Sequence, residues 1–234
     1  MLQELSHALG MPYIRYEING PCFENVPEIQ GKYYGQAILS KHPIENYKAI
    51  EIHEPDIVDP STFSDQTIDD GTEPHRKFVQ KALINHDGAL INFVNLHSIP
   101  FHLFIKNGSP LSINDPDLDK WRQRLNDIIR PNNNSPVILA GDFNNADCSI
   151  KELLPDLFEG NSLSNCIDFS STPASVVFDR AKEQTSNQLV NTSAQSYQDT
   201  QVDYLLSSPS LRTSNKKVLV TPSDHPALFA QFII

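Results

Sequence analysis

The sequence predicts a β-sheet sandwich with helices on its outside. Three observations predict it. Short β-type runs recur along the chain, separated by turn signals, and the clearest pair, KFVQKALI (77–84) and ALINFVNLH (89–97), flanks an Asp87-Gly88 hairpin turn. PVILA (136–140) is short and wholly apolar, the pattern of a strand covered on both faces. Between these runs Leu118, Trp121, Leu125 and Ile128 recur at helical spacing, so a helical crossover joins strands.

Taken in order, Leu2, Leu5 and Leu9 form a helical stripe that Gly10 ends. MPYIRYEI (11–18) reads as a strand, residues 19–33 as a loop, and YGQAILSK (34–41) as a strand closed by His42-Pro43. Residues 53–74 are acidic and turn-rich, and 100–114 read as a loop. Asp115 followed by Pro116 is a helix cap with proline at the first helical position. Ser149 caps a short helix through Leu154. QVDYLLSS (201–208), KKVLVT (216–221) and ALFAQFII (227–234) are three closing strands. Twenty of the forty residues 161–200 are Ser, Thr, Asn or Gln, so this stretch reads as a long polar loop inside one domain spanning 1–234.

Composition removes several function classes. A chain of 234 residues with 39% hydrophobic residues can bury one core. The net charge of −11 argues against a basic surface for extended duplex nucleic acid. It leaves room for a local phosphate site, where a metal ion supplies the positive charge. Cys22, Cys148 and Cys166 are widely spaced and form no CxxC pair, which fits a reducing, cytoplasmic compartment. No run of about 18 apolar residues is present, so no membrane span is expected.

Polar residues gather where strands end: Asn95-Leu96-His97, Gly141-Asp142-Phe143-Asn144, Asp203, and Ser223-Asp224-His225. Strand ends along one rim can converge on a site. The set is rich in carboxylate and imidazole and contains no cysteine, so hard oxygen ligands favour Mg²⁺ or Mn²⁺. These groups suit hydrolysis of a phosphate ester. A carboxylate holds the metal, a histidine takes a proton from water or stabilises phosphoryl charge, and an Asp behind the histidine fixes its tautomer. Asp203 within an otherwise apolar strand needs a partner, and His225 is the natural one. The alternative for each residue alone is a turn or a strand-end polar group.

YGQAILSKHPI (34–44), VNLH (94–97), GDFN (141–144), QVDYLLSS (201–208) and SDHPAL (223–228), in this order, resemble the endonuclease/exonuclease/phosphatase superfamily with its deoxyribonuclease I-like fold. The resemblance covers roughly residues 5–234. It implies a four-layer α/β sandwich with two packed mixed β-sheets, and a metal-dependent hydrolase acting on phosphodiesters or phosphomonoesters, a nuclease among the options. It also implies the site roles. His97 contacts the scissile phosphate. Asp142 and Asn144 position the nucleophilic water and bind phosphate. Asp224, with Asp142, holds Mg²⁺ or Mn²⁺. His225 acts as general base or phosphate ligand, oriented by Asp203. Arg76 resembles a family arginine that binds substrate.

One departure matters. Family members open with a strand carrying an Asn, then a strand ending in Gln-Glu, whose Glu is the principal metal ligand. ELSHALGMPYIRY (4–16) resembles the helix and strand that follow those two. The resemblance therefore implies that the two opening strands have no counterpart here. Gln3-Glu4 is the candidate substitute, with Glu4 as metal ligand. The other outcome is a truncated or degenerate member that binds a phosphorylated ligand or a protein partner without turnover.

Overall fold

The computed structural model describes residues 2–21, 31–52, 76–98, 105–107, 109–110, 112–130, 135–145, 148–159, 162–167, 201, 203–219, 225 and 227–234. Helix α1 (Leu2–Leu9) leads into strands β1 (Tyr13–Pro21), β2 (Tyr33–Ser40), β3 (Ile44–Ile52), β4 (Lys77–His86) and β5 (Ala89–His97). Two-residue strands β6 (Ile105–Lys106) and β7 (Ser109–Pro110) precede helix α2 (Pro116–Ile129). Strand β8 (Val137–Asp142), helix α3 (Ile150–Leu153), and strands β9 (Ser164–Asn165), β10 (Asp203–Ser207), β11 (Arg212–Leu219) and β12 (Ala227–Ile233) complete the chain. The acidic stretch 53–74, most of the polar stretch 161–200, Cys22 and Asp224 lie outside the described residues.

A six-stranded mixed sheet in the order β3-β4-β5-β8-β10-β9 forms the centre. Only β5 and β8 run parallel; every other neighbouring pair in this sheet is antiparallel. A parallel pair needs a crossover, and α2 provides it. Leu118, Trp121, Leu125 and Ile129 are buried on one face of the sheet against Val79, Val94, Leu96 and Leu139. The predicted stripe is therefore the packing face, and α3 adds Ile150 and Leu153 to the same cluster. The predicted Ser149 cap is present in α3, as one half of a capping box: Glu152 N–H donates to Ser149 Oγ, and Ser149 N–H donates to Glu152 Oε2.

The opposite face is covered by two antiparallel ribbons, β1–β2 and β11–β12, each a separate two-stranded sheet. The β11–β12 ribbon packs Val218, Leu228, Ala230 and Phe232 onto Ile91, Ile138 and Leu205. The β1–β2 ribbon contributes Ile38 against Ile44 and Ala82. Helices, mixed sheet and ribbons make the α/β sandwich expected from the sequence. Its second sheet layer consists of two ribbons that, among the described residues, do not pair with each other.

Several details differ from the sequence reading. IENYKAIEI forms β3, whose mixed burial hid it from a period-2 search, and β1 continues through Pro21 into the expected loop. The stripe on α1 does not form a buried face, since Leu5 and Leu9 are 48% and 47% exposed.

Between the β1–β2 ribbon and the sheet lies a polar layer. The Gln36 amide donates to Phe78 O and its Oε1 accepts from Phe78 N–H. Gln80, fully buried, donates to Gln36 O and to the Tyr47 hydroxyl, and accepts from Asn95 Nδ2. Tyr47 donates in turn to Glu17 Oε1. Burial, followed by the bond to Glu17, pushes the Tyr47 phenol up to about 12, so it stays protonated and keeps donating.

Gly141 fixes the parallel step that positions the site. It adopts φ +145°, and a Cβ there would sit 1.8 Å from Leu96 O on β5. No side chain fits without separating the two strands. Gly141→Ala is therefore expected to lose about 3 kcal/mol or more of stability in chemical denaturation. A variant as stable as the parent would contradict this account of the β5–β8 contact.

Candidate active site

The site begins as a consequence of register. In the parallel β5–β8 pair His97 stands opposite Asp142, and in the antiparallel β8–β10 pair Asp142 stands opposite Asp203. Residues in register on neighbouring strands project from the same face, about 4.8 Å apart per strand. Three strands thus bring imidazole, carboxylate and carboxylate into one row at one rim. The row lies on the ribbon face, because Asp203 alternates with Tyr204 and shares parity with Leu205, which packs beneath β11–β12. His225, immediately before β12, closes over the row, and its Nδ1 lies 2.6 Å from Asp203 Oδ2. Asp203 can only accept, so the imidazole Nδ1–H donates and proton exchange falls to Nε2.

The GDFN segment divides its work residue by residue. Gly141 permits the close strand approach. Asp142 faces the row, while its backbone carbonyl accepts from Ser98 N–H at 2.8 Å, locking the ends of β5 and β8 together. Phe143 is fully buried and meets Tyr204 edge to face, ring centroids 5.5 Å apart. Asn144 turns the chain in the left-handed region at φ +50°, which asparagine tolerates. Its N–H donates to Asp142 Oδ1 at 2.8 Å and its side-chain amide donates to Ser98 O at 2.7 Å. The next residue, Asn145, is buried and donates to Cys148 O and to Tyr204 Oη. The loop is thus anchored on both sides of the one carboxylate it presents.

The electrostatics of the row are strained in a consistent direction. Burial, and then the neighbouring Asp203 carboxylate, push Asp142 up to about 6. Burial, reinforced by Lys77 and His225, pulls His97 down to about 3, so its ring is neutral at pH 7. Its Nε2, 3.7 Å from Asp142 Oδ2, is therefore no salt bridge. Lys77, at the start of β4, touches His97 Nε2 instead. An ammonium can only donate, so Nε2 accepts and the His97 proton resides on Nδ1. Burial pulls Lys77 down to about 8, against an opposing pull from Asp142, and it remains mostly charged at pH 7.

The structure gathers His97, Asp142, Asn144, Asp203 and His225, as the sequence predicts. Arg76 is engaged beside the row. That guanidinium bonds Glu51 Oε2 at 2.6 and 3.1 Å and stacks over the Phe78 ring. Glu51 closes β3, the strand the sequence reading missed, so this competitor was hidden. Asp224 lies outside the described residues. Glu4 is exposed on α1, and no group of three or more metal-competent side chains exists among the described residues. Two hard carboxylates in register, one of them held well above its ordinary range by burial and then by the other, nevertheless match the donor chemistry that a divalent cation takes. Lys77 and Ser98 were missed. The signal for Lys77 was its place beside Arg76 at a strand start; Ser98 acts through its backbone, which no side-chain pattern reveals.

A rim of His and Asp residues on an α/β sandwich defines the deoxyribonuclease I-like class. The model of the Endonuclease/Exonuclease/phosphatase family matches residues 1–225, and the chain belongs to that family. A family protein of known structure from Bacteroides thetaiotaomicron shares 18% identity at a TM-score of 0.52, over 99% of this chain and 78% of its own. A mannosyl-6-phosphatase from Bacteroides thetaiotaomicron shares 16% at 0.51, over 100% and 81%. A family protein from Leptotrichia buccalis shares 18% at 0.50, over 95% and 72%. At these identities the likeness establishes the fold. No curated protein matches the sequence.

The crowded carboxylates predict a stability cost. Asp142 rises from an ordinary 3.8 to about 6, so its charge opposes folding fully above 6 and progressively less down to 3.8. Without added divalent ion at pH 7, Asp142→Asn should be the more stable protein, by up to about 3 kcal/mol. The gain should shrink as pH falls towards 4. A variant that melts below the parent at pH 7 would contradict this.

Proposed function

We propose that the chain is a metal-dependent phosphoesterase in which water attacks a phosphate ester in line. The observation that carries this reading is the His225–Asp203 pair at 2.6 Å, set beside Asp142 at the strand rim. Asp203 holds the His225 tautomer that presents Nε2 as a proton acceptor. His225 takes a proton from the attacking water at Nε2, and Asp203 stabilises the imidazolium that results. Asn144 retains a second amide N–H beyond the one given to Ser98 O, and it would orient the water or a phosphoryl oxygen. Mg²⁺ or Mn²⁺, held by Asp142 together with Asp224, would supply positive charge to the phosphoryl oxygens. Arg76, engaged with Glu51, is not assigned a role in this scheme.

The net charge of −11 supports a compact phosphate ester as substrate over extended duplex nucleic acid. The free thiol of Cys166 supports a reducing, cytoplasmic location, and no described helix is long and apolar enough to cross a membrane. A second reading, a binding protein without turnover, is favoured by the absence of a three-ligand metal group among the described residues.

Hydrolysis of bis(p-nitrophenyl) phosphate and p-nitrophenyl phosphate separates the two. The proposal expects turnover with Mg²⁺ or Mn²⁺, its loss in EDTA, and a fall in kcat of about 10²-fold or more in His225→Ala. Asp203→Asn should lose nearly as much, because the tautomer is no longer held. No turnover by the folded chain, or a His225→Ala variant as active as the parent, would favour the binding protein.

A further inference from the structure

We propose that Lys77 is the phosphoryl-binding cation of this site and that it also sets the tautomer of His97. The inference rests on the phosphoesterase reading for its substrate class, a phosphate ester, and on three independent geometric facts for the residue.

The first is charge. The row holds two carboxylates, Asp142 and Asp203, side by side, and a phosphate dianion entering it meets only repulsion from them. Lys77 is a cation in contact with the row.

The second is the fate of its neighbour. Arg76, the cation that the sequence pointed to, is bonded to Glu51 and stacked on Phe78. Lys77 is adjacent in sequence, and at the start of β4 its side chain reaches around the rim to His97 Nε2. A four-carbon stem ending in a compact charge makes that reach, whereas a planar guanidinium is held by its carboxylate partner.

The third is hydrogen-bond bookkeeping. The Lys77 ammonium carries three N–H donors, and His97 Nε2 accepts one. The two remaining donors belong to an ammonium that feels the charge of Asp142. With Nε2 accepting, His97 cannot donate from that nitrogen to phosphate. Lys77 thereby takes the charge-stabilising role that the resemblance gives to His97, and His97 becomes a positioning residue that aims the ammonium.

Inorganic phosphate, titrated calorimetrically at pH 7 into the full chain, tests this without requiring catalysis. Saturable binding is expected in the parent. Lys77→Met should weaken it about tenfold or more, while Lys77→Arg keeps part of the affinity. Removing a buried charge should leave Lys77→Met melting at or above the parent temperature, so weakened binding will not reflect misfolding. The imidazole nitrogen signals supply a second readout: His97 should lose its fixed Nδ1–H tautomer in Lys77→Met. If the chain also turns over, Lys77→Met should raise KM more than it lowers kcat. Phosphate affinity equal in parent and Lys77→Met, or no phosphate binding by the parent, overturns the inference. Hydrolysis that persists unchanged in Lys77→Met would sink it while leaving the phosphoesterase reading intact. Lys77-dependent phosphate binding without hydrolysis would do the reverse.

Discussion

The parallel pairing of β5 with β8 is the constraint on which the site depends. Every other neighbouring strand pair in the central sheet is antiparallel, so only here do two adjacent strands end at the same rim. That single step sets His97 opposite Asp142, and β10, returning antiparallel, begins at the same level with Asp203. The step exists because α2 supplies the crossover and buries Leu118, Leu125 and Ile129 against β5 and β8. It closes because Gly141 has no side chain to hold β8 away from Leu96 O. Ser98 N–H, bonded to Asp142 O, then ties the two strand ends together. Fold and chemistry are thus linked through a few backbone contacts rather than through a mobile loop.

The second theme is that the rim is built against its own stability. Asp142 is held above its ordinary pKa, and Lys77 and His97 below theirs, each chiefly by burial. A structure selected only for folding would replace these groups with apolar ones. Perturbed titratable groups concentrated at one rim are characteristic of functional sites. The polar layer of Gln36, Gln80, Asn95 and Tyr47 differs: its members satisfy one another and hold the β1–β2 ribbon on the sheet.

The sequence made much of this legible, and the reasons are specific. The Asp87-Gly88 hairpin, the α2 stripe and the apolar β8 are strong local signals, because turn chemistry and hydrophobic period act within a few residues. GDFN could be read because each letter has its own physical duty. The Asp203–His225 pair could be read because an acid in an apolar strand demands a partner. Strand β3 was not legible, since its face towards the α2 side mixes Lys48 with Ile50 and Ile52 and breaks the alternation. That gap concealed Glu51, and with it the engagement of Arg76. The role of Lys77 was hidden for a different reason: it depends on a side chain bending around a sheet rim, which neither period nor motif encodes. The exposed stripe on α1 shows the converse, a clear pattern that finds no packing partner among the described residues.

The central claim is that β-sheet register delivers Asp203 to His225 as a tautomer-fixing pair. Proton and nitrogen NMR of the imidazole-labelled chain tests it most directly. The account predicts a strongly downfield Nδ1 proton on His225 that is slow to exchange and disappears in Asp203→Asn. A His225 ring that exchanges freely between tautomers, with the same signals in parent and Asp203→Asn, would contradict it.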